Sequence, residues 1–309
     1  LRLDDVAGLP ASANASVDPA LAPLPITRAP QRGPQRIVCL TEEPTELLYA
    51  LGEQDRIVGI SGFTVRPPRA RQEKPRVSAF TSAKVDQILA LQPDLAIGFS
   101  DMQAEIAHAL VRAGVEVWIA NHRSVAAILD YIRRLGALVG AAPRAEAYAA
   151  TLEAGLAAVQ ARAAALPRRP RVYFEEWDEP RISAIRWVSE LVGIAGGDDI
   201  FPARAAAPLG KDRIVADDAE ILAAMPDLIL GSWCGKKFRP EQVMARPGWA
   251  AVPAVRDGEL HEIKSPLILQ PGPAALTDGL ARLAALIEGW NERQARGEPG
   301  PWQGRVKPG

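Results

Sequence analysis

Cysteine and histidine are scarce: two and three in 309 residues. Cys39 and Cys234 make neither a disulfide framework nor a zinc spacing. They fall in different halves of the chain, and each reads as a small buried apolar group. His108, His122 and His261 are too scattered for a metal cage, so no metal site and no cofactor are expected. Net charge is nearly absent too. At −1, it leaves no field to draw in nucleic acid or an anionic membrane surface. No apolar run approaches the ~18 residues of a membrane span. Residues 1–26 hold no continuous apolar segment of the kind a signal peptide needs, as a mature chain with its leader removed would also show. Nucleophile elbow, Walker loop, dinucleotide fingerprint and His-Glu-x-x-His are all missing. The glycines at 193–197 end a helix instead of starting one, so they form no phosphate cradle.

What is present is an apolar content of 48%, ample for packed cores, in a length that suggests about two domains. The chain also repeats itself. ILALQPDLAIGFS, at residues 88–100, returns as ILAAMPDLILGSW at 221–233, an offset of 133 residues. Each copy follows an apolar run (IVCL from Ile37, VYF from Val172) by 51 and 49 residues respectively. One offset seen once does not make a solenoid. It predicts two lobes of similar plan, each with its own sheet.

Residues 1–35, rich in Pro, Ala and Ser, read as a flexible N-terminal arm. Residues 36–142 form the first α/β lobe: strands at 36–40, 56–60, the first repeat and 115–120, with a helix after Pro44 and another at 102–113. A helix starting at Ser124 shows one apolar face: Val125, Ile128, Leu129, Ile132, Leu135 and Leu138. Pro143 then opens a long Ala-rich helix over 143–166, high in helix propensity and low in bulk, which suits a connecting strut. The second lobe, 167–290, has strands from 171, in the second repeat and at 259–263, an acidic loop at 175–180, and a closing helix over 272–290. A polar tail occupies 291–309.

Strands alternating with helices imply parallel sheets covered on both faces. Ligands in such sheets sit outside the carboxyl ends of the strands. The candidates are therefore Glu42, Phe63, Phe80, Phe99 and His122 in the first lobe. In the second they are Glu176, Trp177, Trp233, Lys236, Lys237, Leu267 and Gln270. Phe80 and Phe99 fit either a core or a cleft wall, whereas Trp233 fits the cleft. Lys236, Lys237 and Arg239 fit either a solvated turn or a site for carboxylate or phosphate. Glu175 and Glu176 are adjacent on a strand and point to opposite faces, so they are no acid/base pair. His261, within a predicted strand, reads as structural. Aromatic walls with a few fixed polar groups suit a bulky organic ligand.

The runs RIVCLTEEPTELLYALGEQDRIVGISGF, VDQILALQPDLAIGF and IAGGDDIF resemble the cobalamin-type (class III) periplasmic substrate-binding proteins of ABC importers, a group that also contains siderophore- and haem-binding members. The resemblance runs from Arg36 to Trp290. It implies two Rossmann-like lobes joined by a single long helix, with a cleft that moves little on binding, and it places Phe63, Phe80 and Phe99 where the family carries cleft aromatics. It also implies a surface carboxylate on each lobe that docks on the permease dimer: Asp86 on the first, Asp218 or Glu220 on the second. EEWDEP and SWCGKK depart from the family's pattern. The expectation is a periplasmic binding protein, not an enzyme, that delivers a corrinoid (cobalamin or cobinamide) to an ABC importer. A ferric siderophore or haem is the alternative. An α/β enzyme using Glu176 or His122 as base is a remoter one.

Overall fold

The computed structural model describes residues 33–303. The expected N-terminal arm lies almost wholly outside the described residues, as does the end of the expected C-terminal tail.

The first sheet has five parallel strands: β1 (Ile37–Cys39), β2 (Ile57–Ser61), β3 (Arg76–Ser78), β4 (Leu95–Phe99) and β5 (Val117–Ala120), in the order β3-β2-β1-β4-β5. The second is built from β6 (Arg171–Asp178), β7 (Arg181–Ser183), β8 (Asp198–Asp199), β9 (Leu228–Gly231) and β10 (Leu260–Glu262). Its order is β10-β9-β6-β7, with β8 also paired to β6. This second sheet is mixed, not parallel throughout: β7 runs antiparallel to β6. The expected acidic loop at 175–180 is a hairpin instead, because β6 continues to Asp178 before turning back.

The repeated sequence has a structural cause. In each lobe its helix (Val85–Ala90, Asp218–Ala224) leads through Pro-Asp into a strand that pairs with the lobe's first strand. The aspartate pins that first strand. Asp94 accepts hydrogen bonds from the Gln35 and Arg36 N–H groups at 2.6 and 2.9 Å, and its own N–H donates to the Arg36 carbonyl at 2.9 Å. Asp227 repeats this with Arg171, accepting its N–H at 2.9 Å and donating to its carbonyl at 2.8 Å. Both arginine side chains then reach the end of the repeat helix: Arg36 to the Leu91 carbonyl, Arg171 to the Ala224 carbonyl. Each unit therefore satisfies backbone groups at a strand start and a helix end together.

The long helix runs over Ala142–Ala164 and buries Ala145, Ala149, Leu152, Leu156, Val159 and Ala163, one stripe along its length. At 23 residues it spans about 35 Å. It packs closely on the preceding helix at Gly136, where any Cβ would lie 2.1 Å from that of Ala145. One buried cluster contains Ile37 and Ile97 of the first sheet, Leu152 and Leu156 of this helix, and Val172 and Phe174 of the second sheet. The two sheets thus share a core through the helix that joins them. The closing helix continues past the expected boundary to Arg296, so the polar tail begins later than 291; Gly297, at φ +64°, ends it.

Candidate functional site

The carboxyl ends of strands from both sheets converge on one hollow of about 420 Å³, open to solvent and about 1330 Å³ with its mouth included. The first lobe contributes Thr41 and Glu42 beyond β1, Ser61 and Phe63 at β2, Phe80 beyond β3, Phe99 and Ser100 at β4, and Arg123 beyond β5. The second contributes Glu176 of β6, Ile185 and Trp187 after β7, Arg213 between β8 and β9, Cys234 and Gly235 after β9, and Ser265, Leu269 and Gln270 after β10. In a sheet of order 3-2-1-4-5, this is where neighbouring connections diverge and leave a crevice.

The aromatic wall is held from behind. Gln103, fully buried, accepts the Phe99 N–H at 3.0 Å and donates to the Phe80 carbonyl at 2.9 Å. Gly98 makes room for it, since a Cβ there would lie 2.2 Å from Gln103 Oε1. Ser100 sits at φ +67°, where L-residues are strained, and its Oγ accepts the Met102 N–H at 3.3 Å. Phe99 meets Trp187 edge to face across the lobes, 6.3 Å between centroids. Trp187 Nε1 donates to the Ile268 carbonyl at 2.9 Å. Phe63 stands 55% exposed at the mouth.

Two cationic side chains line the cavity, and each already holds a carboxylate. Arg213 makes a two-pronged pair with Glu176 at 2.6 and 3.1 Å. Arg123 pairs with Asp101 at 3.1 Å, donates to the Pro208 carbonyl at 2.9 Å, and lies 5.3 Å over the Phe99 ring. Glu42 has no such partner among the described residues. Burial, with the carboxylates of Glu43 and Glu46 behind it, pushes its acid up to about 8. Burial likewise holds Glu43 at about 7, although Thr41 Oγ1 donates to it at 2.6 Å. Cys234 is exposed at the cavity and not the buried group expected of it, whereas Cys39 is buried; partial desolvation first, and then Glu42 and Glu176, push the Cys234 thiol up.

Of the sequence candidates, Glu42, Phe63, Phe80, Phe99, Glu176 and Gln270 meet at this cavity. Five others do not. Trp233 is buried in the second lobe's core, donating Nε1 to Glu175 at 3.0 Å and meeting Phe238 edge to face; its neighbours Cys234 and Gly235 reach the cavity instead. Trp177 turns its Nε1 to the Glu179 carbonyl at 2.8 Å. Lys236 pairs with Asp178 and lies 4.3 Å over the Trp177 ring. Lys237 lines a separate shallow hollow beside Trp233, and Arg239 faces another with Lys237. Leu267 packs on the core because residues 265–268 form one helical turn, which brings Pro266 and Leu269 to the cavity in its place. Gln103, Arg123, Trp187 and Arg213 were missed. Gln103 follows its strand in a short 3-10 turn, and the other three lie in helices or connections that only tertiary packing brings to the strand tips.

His122 is fixed elsewhere. Its Nε2–H donates to the Pro271 carbonyl at 2.6 Å, its ring stacks on Tyr131 at 4.1 Å, and burial lowers its pKa to about 4. Glu176 is committed to Arg213. Neither stands ready as a general base. His261 is buried in β10, beside Glu259 at 2.8 Å. Asp86 is exposed in the first turn of its helix. Asp218 is tied to Arg181 and to Trp249 Nε1, whereas Glu220 is half exposed and pairs with Arg204 at 2.8 Å. No helix among the described residues is long and apolar enough to cross a membrane.

The periplasmic binding protein family model matches residues 37–267. The chain is 25% identical to a vitamin B12-binding protein of Vibrio parahaemolyticus over 78% of this chain and 86% of that one. It is 23% identical to an uncharacterized ABC transporter substrate-binding lipoprotein of Bacillus subtilis over 83% and 81%. Among solved structures it is similar to a periplasmic heme-binding protein from Roseiflexus in apo form, with a TM-score of 0.69 and 26% identity over 82% of this chain and all of that one.

Proposed function

The chain belongs to the periplasmic binding protein family, and from that premise we propose that it carries a corrinoid, cobalamin or cobinamide, through the periplasm to an ABC importer. The observation that carries this reading is the cavity itself: a wall of Phe63, Phe80, Phe99 and Trp187 between two sheets, with both lining arginines already paired. Such a wall offers contact area to a large, uncharged macrocycle and little to a polyanion. The hollow opens to solvent, so a ligand larger than it can project through the mouth. The B12-binding relative supports the same choice. The core shared through the long helix suits a cleft that moves little on binding, which would keep the cost of ordering low.

Haem or a ferric siderophore is the second reading, favoured by the similarity to the heme-binding structure. The lysines that pointed to an anionic ligand, Lys236 and Lys237, lie outside the cavity, which weakens it. Delivery is to a membrane permease, with Asp86 and Glu220 as the exposed carboxylates available for docking. Titrating the protein with cyanocobalamin, haem and a ferric siderophore while following tryptophan fluorescence separates these readings, since Trp187 lines the cavity. Corrinoid quenching with a micromolar or tighter Kd, about −8 kcal/mol, is expected. Quenching by haem or siderophore alone would overturn the corrinoid reading.

A further inference from the structure

Among the described residues, four charged side chains line the cavity and three of them are matched: Arg123 to Asp101, and Arg213 to Glu176. Glu42 is the fourth. Among the described residues, the groups around it offer it no cation. Glu43 and Glu46 follow it on the same helix, the first held by Thr41 and the second by Arg66 at 2.9 Å. The Cys234 thiol feels its charge from the second lobe, and His122 is kept neutral behind Phe99. A polar group placed in an apolar wall without a protein partner is left for the ligand to satisfy.

We infer that Glu42 is the specificity-determining residue of this cavity: it receives an uncharged carboxamide at the edge of the ligand and discriminates against a carboxylate in the same place. This rests on the corrinoid reading and names which chemical edge of the macrocycle the first lobe reads. A carboxamide carries both an acceptor oxygen and a donor N–H. It therefore pairs with Glu42 protonated, through its oxygen, and with Glu42 ionised, through its N–H. A ligand carboxylate accepts only, so it pairs with the protonated acid and is repelled by the ionised one. Burial and the flanking carboxylates set Glu42 to change state at about 8, so discrimination is small in mildly acidic solution and grows as pH rises through that value.

The test compares dicyanocobinamide, whose ring bears carboxamides, with dicyanocobyrinic acid, whose ring bears carboxylates, by fluorescence titration at pH 6.5 and pH 9. In the wild type the affinity ratio in favour of the carboxamide ligand should widen about tenfold over this interval. Glu42→Gln should hold the ratio constant, and so should Glu42→Ala with weaker binding of both ligands; either variant suffices if the other does not fold. Glu43→Gln, which removes the buried acid titrating nearby, should keep the widening. If Glu42→Gln still widens the ratio, or if Glu43→Gln abolishes it, Glu42 is not the reader. If the wild type binds neither corrinoid, the corrinoid reading falls and this inference with it. If it binds both with a ratio that does not change with pH, only the inference falls.

Discussion

Glu176→Gln tests whether the second lobe neutralises its own cavity cation. Arg213 has a side chain 2% exposed, and Glu176 is 21% exposed. The guanidinium makes two hydrogen bonds to that carboxylate and a third to the Ser183 carbonyl. Replacing the carboxylate by an amide of the same shape leaves a full positive charge out of water with only neutral acceptors. Breaking a buried pair from one side costs about 3–5 kcal/mol. Because Glu176 keeps some solvent contact, about 3 kcal/mol is the expected loss. Arg213→Met alone leaves the more exposed partner unpaired and should cost less, about 1–2 kcal/mol. With both charges removed, the double variant should recover most of the loss, since a well-packed uncharged replacement is often near neutral. Urea unfolding followed by tryptophan fluorescence gives all three values, and the cycle gives the coupling. A ligand readout accompanies it: with its carboxylate gone, Arg213 becomes available to an anionic ligand, and haem should bind Glu176→Gln about tenfold more tightly than it binds wild type. The reasoning is refuted if Glu176→Gln unfolds within 0.5 kcal/mol of wild type, or if the double variant loses the sum of the two singles.

Phe63→Ala should leave stability within about 0.5 kcal/mol, because the ring is 55% exposed, yet weaken corrinoid binding about tenfold through lost aromatic contact; unchanged affinity would remove Phe63 from the site. Asp86→Lys should impair uptake through the permease in a transport assay with ligand affinity preserved, and equal loss of both would show that it is not a docking residue. Asp94→Asn keeps an acceptor but removes the charge that serves two strand-start N–H groups, so urea unfolding should show a loss of about 1–2 kcal/mol, and a neutral result would deny the Pro-Asp unit its role. Between pH 6.5 and 8 the ligand-free protein should lose about 2 kcal/mol: the raised Glu42 and Glu43 acids bind protons in the folded state that the unfolded chain has already released, so their stabilisation declines as pH rises. His122, lowered to about 4, acts in a separate window and subtracts stability only as pH falls from about 6.5 toward 4. Thermal unfolding across this range should show the decline in wild type and a smaller one in Glu42→Gln.

The repeat was legible because its cause is local. Helix, Pro-Asp and strand are contiguous, and the aspartate must sit where a strand-start N–H needs an acceptor, so spacing alone reveals it. Its other half was not. Arg36 lies 58 residues from Asp94, and Arg171 lies 56 residues from Asp227. Nothing in either stretch says that the arginine will close over the helix end. The hairpin at 175–180 was hidden for a different reason. Glu175, Glu176 and Asp178 give it the composition of a solvated loop, but each of these carboxylates has a cation brought from elsewhere in the chain: Arg246, Arg213 and Lys236. Tertiary pairing overrode a propensity that is weak for strands in any context.

The same distinction explains which cavity residues could be read. Glu42, Phe63 and Phe99 follow from strand ends, which the apolar runs mark directly. Trp233 also stands at a strand end, yet its side chain goes inward, because Glu175 is fully buried one strand away and needs donors. Trp233 Nε1 and both terminal nitrogens of Arg246 supply them at 2.7–3.0 Å. An indole turned to the cavity would remove one of the buried carboxylate's donors, leaving it to Arg246 and to the Tyr173 hydroxyl at 3.1 Å. The core's electrostatic demand therefore decided where the tryptophan went, and the loop after it fills the position with Cys234 and Gly235. A strand-end rule locates the cavity, while the satisfaction of buried charge decides which side chains are free to face it. Glu42 faces it because no cation among the described residues claims its carboxylate.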